Sequence, residues 1–219
     1  METDSMQAYY AARAPEYDRV YGKPERQADL RAIERWLPAA LGGRSLLEVA
    51  CGTGYWTHFL APVAPRILGV DASAETLAIA RSRVPAAHVQ FVVGDAYRLP
   101  VAPGGFEAGF AGFWFSHVPR SRVAEFLRGF HAALAPGAKV VLLDNLFVPG
   151  SSTPLSERDG EGEGDTFQLR PLQDGSTHRV LKNFPSESEL REAVAGAARE
   201  VRFHSWPYYW ALEYELAGP

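Results

Sequence analysis

Glycines and carboxylates recur at matching places in the first half of the chain. The run Glu48-Val49-Ala50-Cys51-Gly52-Thr53-Gly54 follows the apolar pair Leu46-Leu47 and leads into Tyr55-Trp56-Thr57-His58-Phe59-Leu60. That order reads as a buried strand, a tight turn and a helix start. Gly52 and Gly54 lack a Cβ, so the backbone turns sharply there and a ligand can come close to it. Asp71 directly follows the apolar run Ile67-Leu68-Gly69-Val70. An α/β nucleoside-binding fold puts the carboxylate that holds ribose hydroxyls at such a strand end. Asp95 closes the next apolar run, Val89 to Gly94. Turn and acid chemistry therefore falls at consecutive strand ends, on one side of a sheet.

Other residues could also work chemically, and each has a plainer reading. Phe113-Trp114-Phe115-Ser116-His117 lies just beyond a fourth strand. Aromatic faces attract cationic charge, although an aromatic run equally fills a core. His117 has an unperturbed pKa close to neutrality and suits a general base; the alternative is a histidine that caps a helix or orients a loop. Cys51, the one cysteine, has no base partner in the sequence to make it a nucleophile and reads as structural filling. The remaining histidines, at 58, 88, 131, 178 and 204, form no i, i+4 pair and have no neighbouring cysteine, so no metal site is expected. Tyr9, Tyr10, Arg13 and Tyr17 stand in YYAARAPEYD, a segment that either lines a pocket or packs its rings on a sheet edge.

The elements that must position these residues alternate. Helix is expected over 5–37 in two pieces broken near Gly22-Lys23-Pro24, with Leu30, Ile33 and Leu37 on one face and Pro38 as its stop. Strands are expected at 45–50, 66–70, 89–93, 106–112 and 139–144. A helix capped by Ser73 fills 74–83. A second helical stripe, Val123, Phe126, Leu127, Phe130 and Leu134, stops at Pro136-Gly137. Apolar strands alternating with helices indicate a mostly parallel α/β sheet with right-handed crossovers. Residues 147–185 break the alternation: a Pro-, Gly- and acid-rich stretch precedes two short strand-like runs divided by Asp174-Gly175, which is a hairpin signal. A helix at 186–197, with Ser186 as cap and Glu189 at its third position, and strands at 199–205 and 208–216 close the chain.

Composition bounds the function. The 219 residues are enough for one α/β domain, 1–219, with a helical cap at 1–37 and an insertion or lid at 147–185. The net charge of -4 offers no field for a nucleic acid backbone. No apolar run approaches the ~20 residues that span a bilayer, and the N-terminus does not read as a secretory signal, so a cytoplasmic protein without membrane attachment is expected.

The three strand-end motifs, LLEVACGTGYW, LGVDAS and VVGDAYRLP, in this order and spacing, resemble those of the class I S-adenosylmethionine (SAM)-dependent methyltransferases. The similarity is to the small-molecule branch that includes the ubiquinone and menaquinone enzymes. It is strong over 44–145 and loose elsewhere. Ala50 stands where the family writes the first glycine of its opening motif. The resemblance implies a Rossmann-like, seven-stranded, mostly parallel sheet with helices on both faces, an N-terminal helical lid and a β-hairpin insertion after strand 5. It implies SAM as cofactor, with S-adenosylhomocysteine (SAH) as product. The cofactor would be held by Glu48, Ala50, Cys51, Gly52, Thr53, Gly54, Asp71, Ala72, Asp95, Ala96 and Phe113, with Tyr17 and Tyr9 from the lid. Glu48 would support the loop by accepting backbone amides. Trp114, Phe115, Asn145 and Arg170 would face the acceptor, and His117 would act at it.

The implied reaction is direct methyl transfer to an O, N, S or C atom of a small aromatic or heteroaromatic molecule under the hairpin, the bland alternative for the hairpin being a homodimer contact. A Rossmann dehydrogenase is disfavoured because Gly-x-Gly-x-x-Gly is absent. Nucleic-acid amino-methyltransferases carry an Asn/Asp-Pro-Pro-aromatic run after strand 4, which is absent here. A SAM-binding domain without chemistry is the remaining competitor, and only turnover separates it from an enzyme.

Overall fold

A computed structural model of the chain describes residues 18, 20–156, 164–171 and 175–218. Its strands are β1 (Leu46–Val49), β2 (Ile67–Asp71), β3 (Val89–Val93), β4 (Phe106–Gly112), β5 (Leu134–Asn145), β6 (Phe167–Pro171), β7 (Thr177–Leu181), β8 (Ala198–Ser205) and β9 (Tyr209–Leu216). Seven of them form one sheet in the order β3-β2-β1-β4-β5-β9-β8, and β6 pairs with β7 alone. The pairs from β3 to β5 are parallel; β9 joins β5 and β8 antiparallel. The helices are α1 (Gln27–Leu41), α2 (Tyr55–Leu60), α3 (Ala74–Arg83), α4 (Val123–Ala132) and α5 (Glu187–Val194).

The strands have two buried faces because successive side chains point to opposite sides. Leu46 joins a core with Leu30, Ile33 and Leu37 of α1, Leu60 of α2 and Leu77 of α3. Its neighbour Leu47 joins a second core with Phe126 and Phe130 of α4 and Leu190 of α5. Helices thus cover both faces, as the alternation in the sequence requires. The loops that follow β1, β2, β3, β4 and β5 all leave the sheet at its carboxyl edge, where ligands of open parallel sheets bind.

Local chemistry sets the ends. Ser73 caps α3 by accepting from the Thr76 amide at 3.1 Å. Ser186 and Glu189 form a capping box at α5. Helix α1 runs through Pro38 and ends at Leu41, so Pro38 is not the stop the sequence suggested. Its missing N–H falls in the last turn, and the Gly42 amide closes that turn onto the Pro38 carbonyl at 2.9 Å. Pro136-Gly137 likewise does not end a helix. Helix α4 stops at Ala132, Leu134 already pairs with Phe106, and the register then shifts so that Lys139 meets Ala108. Pro136 and the left-handed Gly137 (φ 76°) lie in that irregularity, where no ladder donor is needed. Both of these departures come from elements whose ends are decided by tertiary pairing.

The turn after β1 carries backbone strain at one place. Ala50, Gly52 and Gly54 all adopt left-handed φ, at 54°, 54° and 72°. Glycine takes this conformation freely; alanine pays ~1–2 kcal/mol. Glu48 adds an electrostatic cost beside it. Its side chain is buried, its Oε2 accepts from the Thr57 hydroxyl at 2.6 Å, and burial pushes its carboxyl up to about 8.

Two stability measurements follow from this turn. Ala50→Gly removes the steric cost and adds ~0.4–1 kcal/mol of unfolded-chain entropy, for a net gain of about 0.5–1 kcal/mol, read as a higher urea midpoint at constant m. Because the folded state holds the Glu48 proton up to about 8 while the unfolded chain releases it near the ordinary Glu value, stability is lost as pH rises between them. Glu48→Gln, isosteric with the protonated acid, therefore stabilises the SAM-free protein by on the order of 4 kcal/mol at pH 8, with the gap closing toward pH 5.

Candidate active site

The turn after β1 is organised from below by Asp71. Its Oδ2 accepts the Gly52 amide at 2.8 Å, and its Oδ1 accepts the Ser73 amide at 2.9 Å and the Thr76 hydroxyl at 3.2 Å. Burial raises this carboxyl, while the Ser73 and Gly52 amides pull the other way. An ionised carboxylate has about four acceptor positions, so capacity for a ligand hydroxyl remains beside the turn. At the end of β3 the exposed Asp95 accepts the Tyr97 amide at 2.9 Å through Oδ1, and Ala96 is buried next to it. The glycine turn and successive strand-end carboxylates lie along one edge; the Gly52 amide is taken by Asp71 and the Gly54 amide by the Cys51 carbonyl at 3.0 Å, and Asp71 and Asp95 supply the acceptors that a nucleoside requires. These residues fit SAM.

Several expected cofactor residues do structural work. Cys51 is buried, with Sγ 3.0 Å from where a Cβ on Gly69 would stand, and burial lifts its thiol well above the usual range. It is filling, without thiolate character. Glu48 accepts from the Thr57 hydroxyl of α2, whereas backbone amides were expected, because the strand aims it beneath that helix. Thr53 is almost fully buried and fastens the segment that precedes α1: its hydroxyl donates to Asp18 at 2.7 Å, and Arg83 pairs with Asp18 while also donating to the Thr53 carbonyl at 2.9 Å. Tyr9 and Tyr17 lie outside the described residues. The tyrosine that reaches the site from the described part is Tyr21, which sequence reasoning passed over. Its ring stacks on Tyr55 at 3.6 Å and on Phe113 at 5.7 Å.

Phe113 holds a left-handed φ of 59°, a strained conformation for an aromatic residue, and its ring stacks on Tyr209 at 5.6 Å. With Trp56, edge-on to both Tyr21 and Phe113, these rings form an aromatic box at the carboxyl ends of β1 and β4. All four rings are buried in the core that α1 covers. Trp114 leans instead on Tyr97 and Phe126, on the side of Asp95. Phe115 points away from the edge into the core between Phe126 and Trp210, so its expected acceptor contact does not form: the short 3-10 turn Phe115–His117 rotates it inward.

The β6–β7 hairpin docks on the turn after β4 and on the end of β5. The Asn183 amide donates to the Ser116 carbonyl at 2.7 Å and His117 Nδ1 donates to the Leu181 carbonyl at 2.7 Å. A carbonyl can only accept, so Nδ1 carries the hydrogen and Nε2 is the acceptor nitrogen. Burial, then Lys182 and Arg170, hold His117 well below the ordinary histidine range, so it is neutral near pH 7. Lys182 is buried and donates to Asp144 Oδ1 at 2.8 Å and to the Ser116 hydroxyl. Asp144 also accepts the Ser116 amide at 2.9 Å, and its carboxyl falls to about 2 under Lys182 and His117. Asn145 accepts from Arg26 at 2.9 Å, and Arg26 also reaches the Ser151 hydroxyl at 3.0 Å. Arg170 sits on the hairpin with its guanidinium on Gln168 at 2.8 Å. Of these, only His117, Asn145 and Arg170 were expected from the sequence; Arg26, Asp144 and Lys182 were not.

Comparison with known proteins gives this geometry its family. Residues 46–137 match the model of a methyltransferase domain. The chain is 34% identical over 206 residues to the demethylmenaquinone methyltransferase of Thermus thermophilus, covering 87% of this chain and 90% of that protein. It is 30% identical over 150 residues to the 2-phytyl-1,4-naphtoquinone methyltransferase of Thermosynechococcus vestitus, 64% of either chain. Among solved structures, the DhpI-SAM-HEP complex superposes with a TM-score of 0.77 at 31% identity over 97% of both chains. The DhpI-SAH complex does so with a TM-score of 0.79 at 28% identity over 99% of this chain and 97% of that one. Ordered glycines, strand-end acids and full-length relatives agree: the chain belongs to the class I SAM-dependent methyltransferases.

Proposed function

We propose that this SAM-dependent methyltransferase acts on a small quinone-type molecule held between the carboxyl ends of β4 and β5, the segment before α1 and the β6–β7 hairpin. The observation that carries the small size is the docking of the hairpin. Lys182 on Asp144, His117 on Leu181 and Asn183 on Ser116 fix a roof directly over the strand ends where the methyl group is delivered. A roofed site admits a small acceptor and excludes a polymer. The quinone type comes from the full-length likeness to the Thermus enzyme. SAM supplies an activated methyl group on a sulfonium when bound. The chain's own share is then orientation, which is worth ~7–11 kcal/mol in a well-aligned complex. The segment carrying Asp18 and Tyr21 acts as the cap, and the hairpin as the lid. Buried, unpaired Cys51 suits a reducing cytoplasm. No helix of the described residues is long and apolar enough to cross a membrane.

His117 is a positioning residue in this reading. A neutral imidazole whose Nδ1–H is spent on the Leu181 carbonyl holds the lid against the turn after β4.

SAM turnover with a reduced 2-demethyl-naphthoquinone, read as SAH formation and product mass, tests the acceptor type; SAM binding with no methylated product would overturn it. Asp71→Ala removes the support of the Gly52 amide together with the ribose contact and weakens SAM binding by roughly 1.5–3 kcal/mol in a calorimetric titration. His117→Ala lowers kcat on the order of 10- to 100-fold with SAM affinity retained. His117→Asn, which keeps a donor for the Leu181 carbonyl, recovers much of that loss. A variant pair equally inactive would mark His117 as a proton acceptor instead.

A further inference from the structure

We propose that the acceptor is bound as an oxyanion, gripped by Arg26 and Lys23 from one side and by Arg170 and Lys182 from the other; this deepens, and rests on, the acceptor site assigned above. Arg26 is the strongest sign. Its residue is only 4% exposed, yet its bonded N–H groups go to neutral oxygens, Ser151 Oγ and Asn145 Oδ1. Among the described residues no carboxylate bonds it. A guanidinium taken out of water without a paired anion is costly unless something negative arrives. The rings of Tyr208 and Tyr209, 5.1 and 5.7 Å from its central carbon, further limit water there.

The other cations converge on the same place. Arg26 bonds Asn145, whose amide donates to Asp144 Oδ1 at 2.8 Å, the same oxygen that Lys182 holds at 2.8 Å. Lys23 donates to the Ser151 carbonyl, beside the Ser151 hydroxyl that Arg26 takes. Arg170 lies on the same hairpin face as the buried Gln168 and Val180, and its guanidinium bonds only the neutral Gln168 side chain among the described residues. The groups also repel one another: Arg170 and Arg26 both depress Lys182, and Arg26 and Arg170 both depress Lys23. Among the described residues the carboxylates that face them are few. Asp144 is taken by Lys182, Glu25 is an exposed rim residue bonded to the Ser151 hydroxyl, and Asp29 is committed to the Tyr208 amide at 2.9 Å. Among the described residues a surplus of positive charge gathers at one end of the sheet, in a chain whose net charge is -4.

That surplus matches the chemistry. An acceptor oxygen that arrives ionised is already a nucleophile, so a weakly basic His117 is no handicap. When the held oxygen is the acceptor atom, its lone pair forms the new O–C bond while the C–S bond breaks with its electrons going to sulfur. No proton moves. The methylated product has one negative charge fewer and is held less tightly by the cluster. The oxyanion can be the ionised hydroxyl of a quinol-type ring or an acidic head such as a phosphonate, phosphate or carboxylate.

Calorimetric titration of the SAH-loaded full chain tests this, with methylphosphonate and 1,4-naphthoquinol (kept reduced) as probes. The expected result is that at least one probe binds, methylphosphonate near pH 7.5 or naphthoquinol more tightly as pH rises through its hydroxyl ionisation. That binding falls by roughly tenfold or more in Arg170→Gln and in Lys23→Gln. Both positions are partly exposed, and unchanged SAH affinity in the variants certifies the fold. Binding of methylphosphonate alone supports the oxyanion site and removes the quinone-type acceptor. Methylation of a quinol whose affinity is indifferent to pH and to both substitutions keeps the quinone-type acceptor and overturns the oxyanion site. Absence of binding by both probes in the wild type overturns it as well.

Discussion

The docking of the β6–β7 hairpin on the main sheet depends on one buried ion pair, Lys182 with Asp144. Neither group has exposed charge to share with water, and each is tolerable only because the other is there. Asp144 is the penultimate residue of β5 and already anchors the Ser116 amide of the turn after β4. Lys182 follows β7 immediately. The pair therefore ties an insertion with little core of its own to the central part of the sheet. Removing one partner would strand the other in a dry environment, which is far more damaging than losing a surface bridge. The same oxygen of Asp144 that takes Lys182 also takes the Asn145 amide, and Asn145 reaches Arg26, so this carboxylate links the hairpin to the segment before α1, which also bonds Ser151 directly.

The cofactor side is built on a different principle. There the backbone does the shaping. Three left-handed residues, one of them an alanine, shape the turn after β1. Asp71 keeps the turn in that form by accepting the Gly52 amide, and Asp18 with Arg83 pins Thr53 from the other flank. The two sides are joined by the aromatic box, in which Tyr21 belongs to the cap, Trp56 to α2, Phe113 to the end of β4 and Tyr209 to β9. The strain at Phe113 is the local cost of aiming its ring between the two sites.

The legible parts of this arrangement were those in which neighbours in sequence are neighbours in space. Glycines at the turn after β1, acids closing β2 and β3, the Ser186–Glu189 capping box and the paired runs of the hairpin are all local devices, and each left a local pattern. The acceptor site left almost none. Arg26 meets Asn145 across 119 positions and Lys182 meets Asp144 across 38. In the sequence, Arg26 stands in an ordinary charged stretch, KPERQ, that reads as a solvated helix start. Two signals were nevertheless present. Asp144 closes the apolar run VVLL in the manner that singled out Asp71, and Lys182 is enclosed by Val180-Leu181 and Phe184, an apolar setting for a lysine. The misplaced helix ends at Pro38 and Leu134 have the same origin: proline was read as a local stop, while pairing of Leu134 with Phe106 and the glycine pair after Leu41 decided the boundaries.

The division of labour between the two sides bears on how such a fold changes acceptor. The cofactor edge is made of short-range contacts around β1, β2 and β3, and alteration there disturbs a turn that every acceptor needs. The acceptor edge is made of side chains donated by two segments that lie outside the sheet, held by a few polar contacts. On the proposed reading, exchanging Lys23 or Arg170 for neutral residues alters what the site attracts while leaving the sheet and its two cores in place, since both are partly exposed. Lys182 differs, because its charge also holds the lid. On the oxyanion reading proposed above, a negative ligand relieves the repulsion among cations that come from both segments. A neutral molecule of equal size leaves that repulsion in place, so on that reading charge, more than shape, is the property by which the site selects.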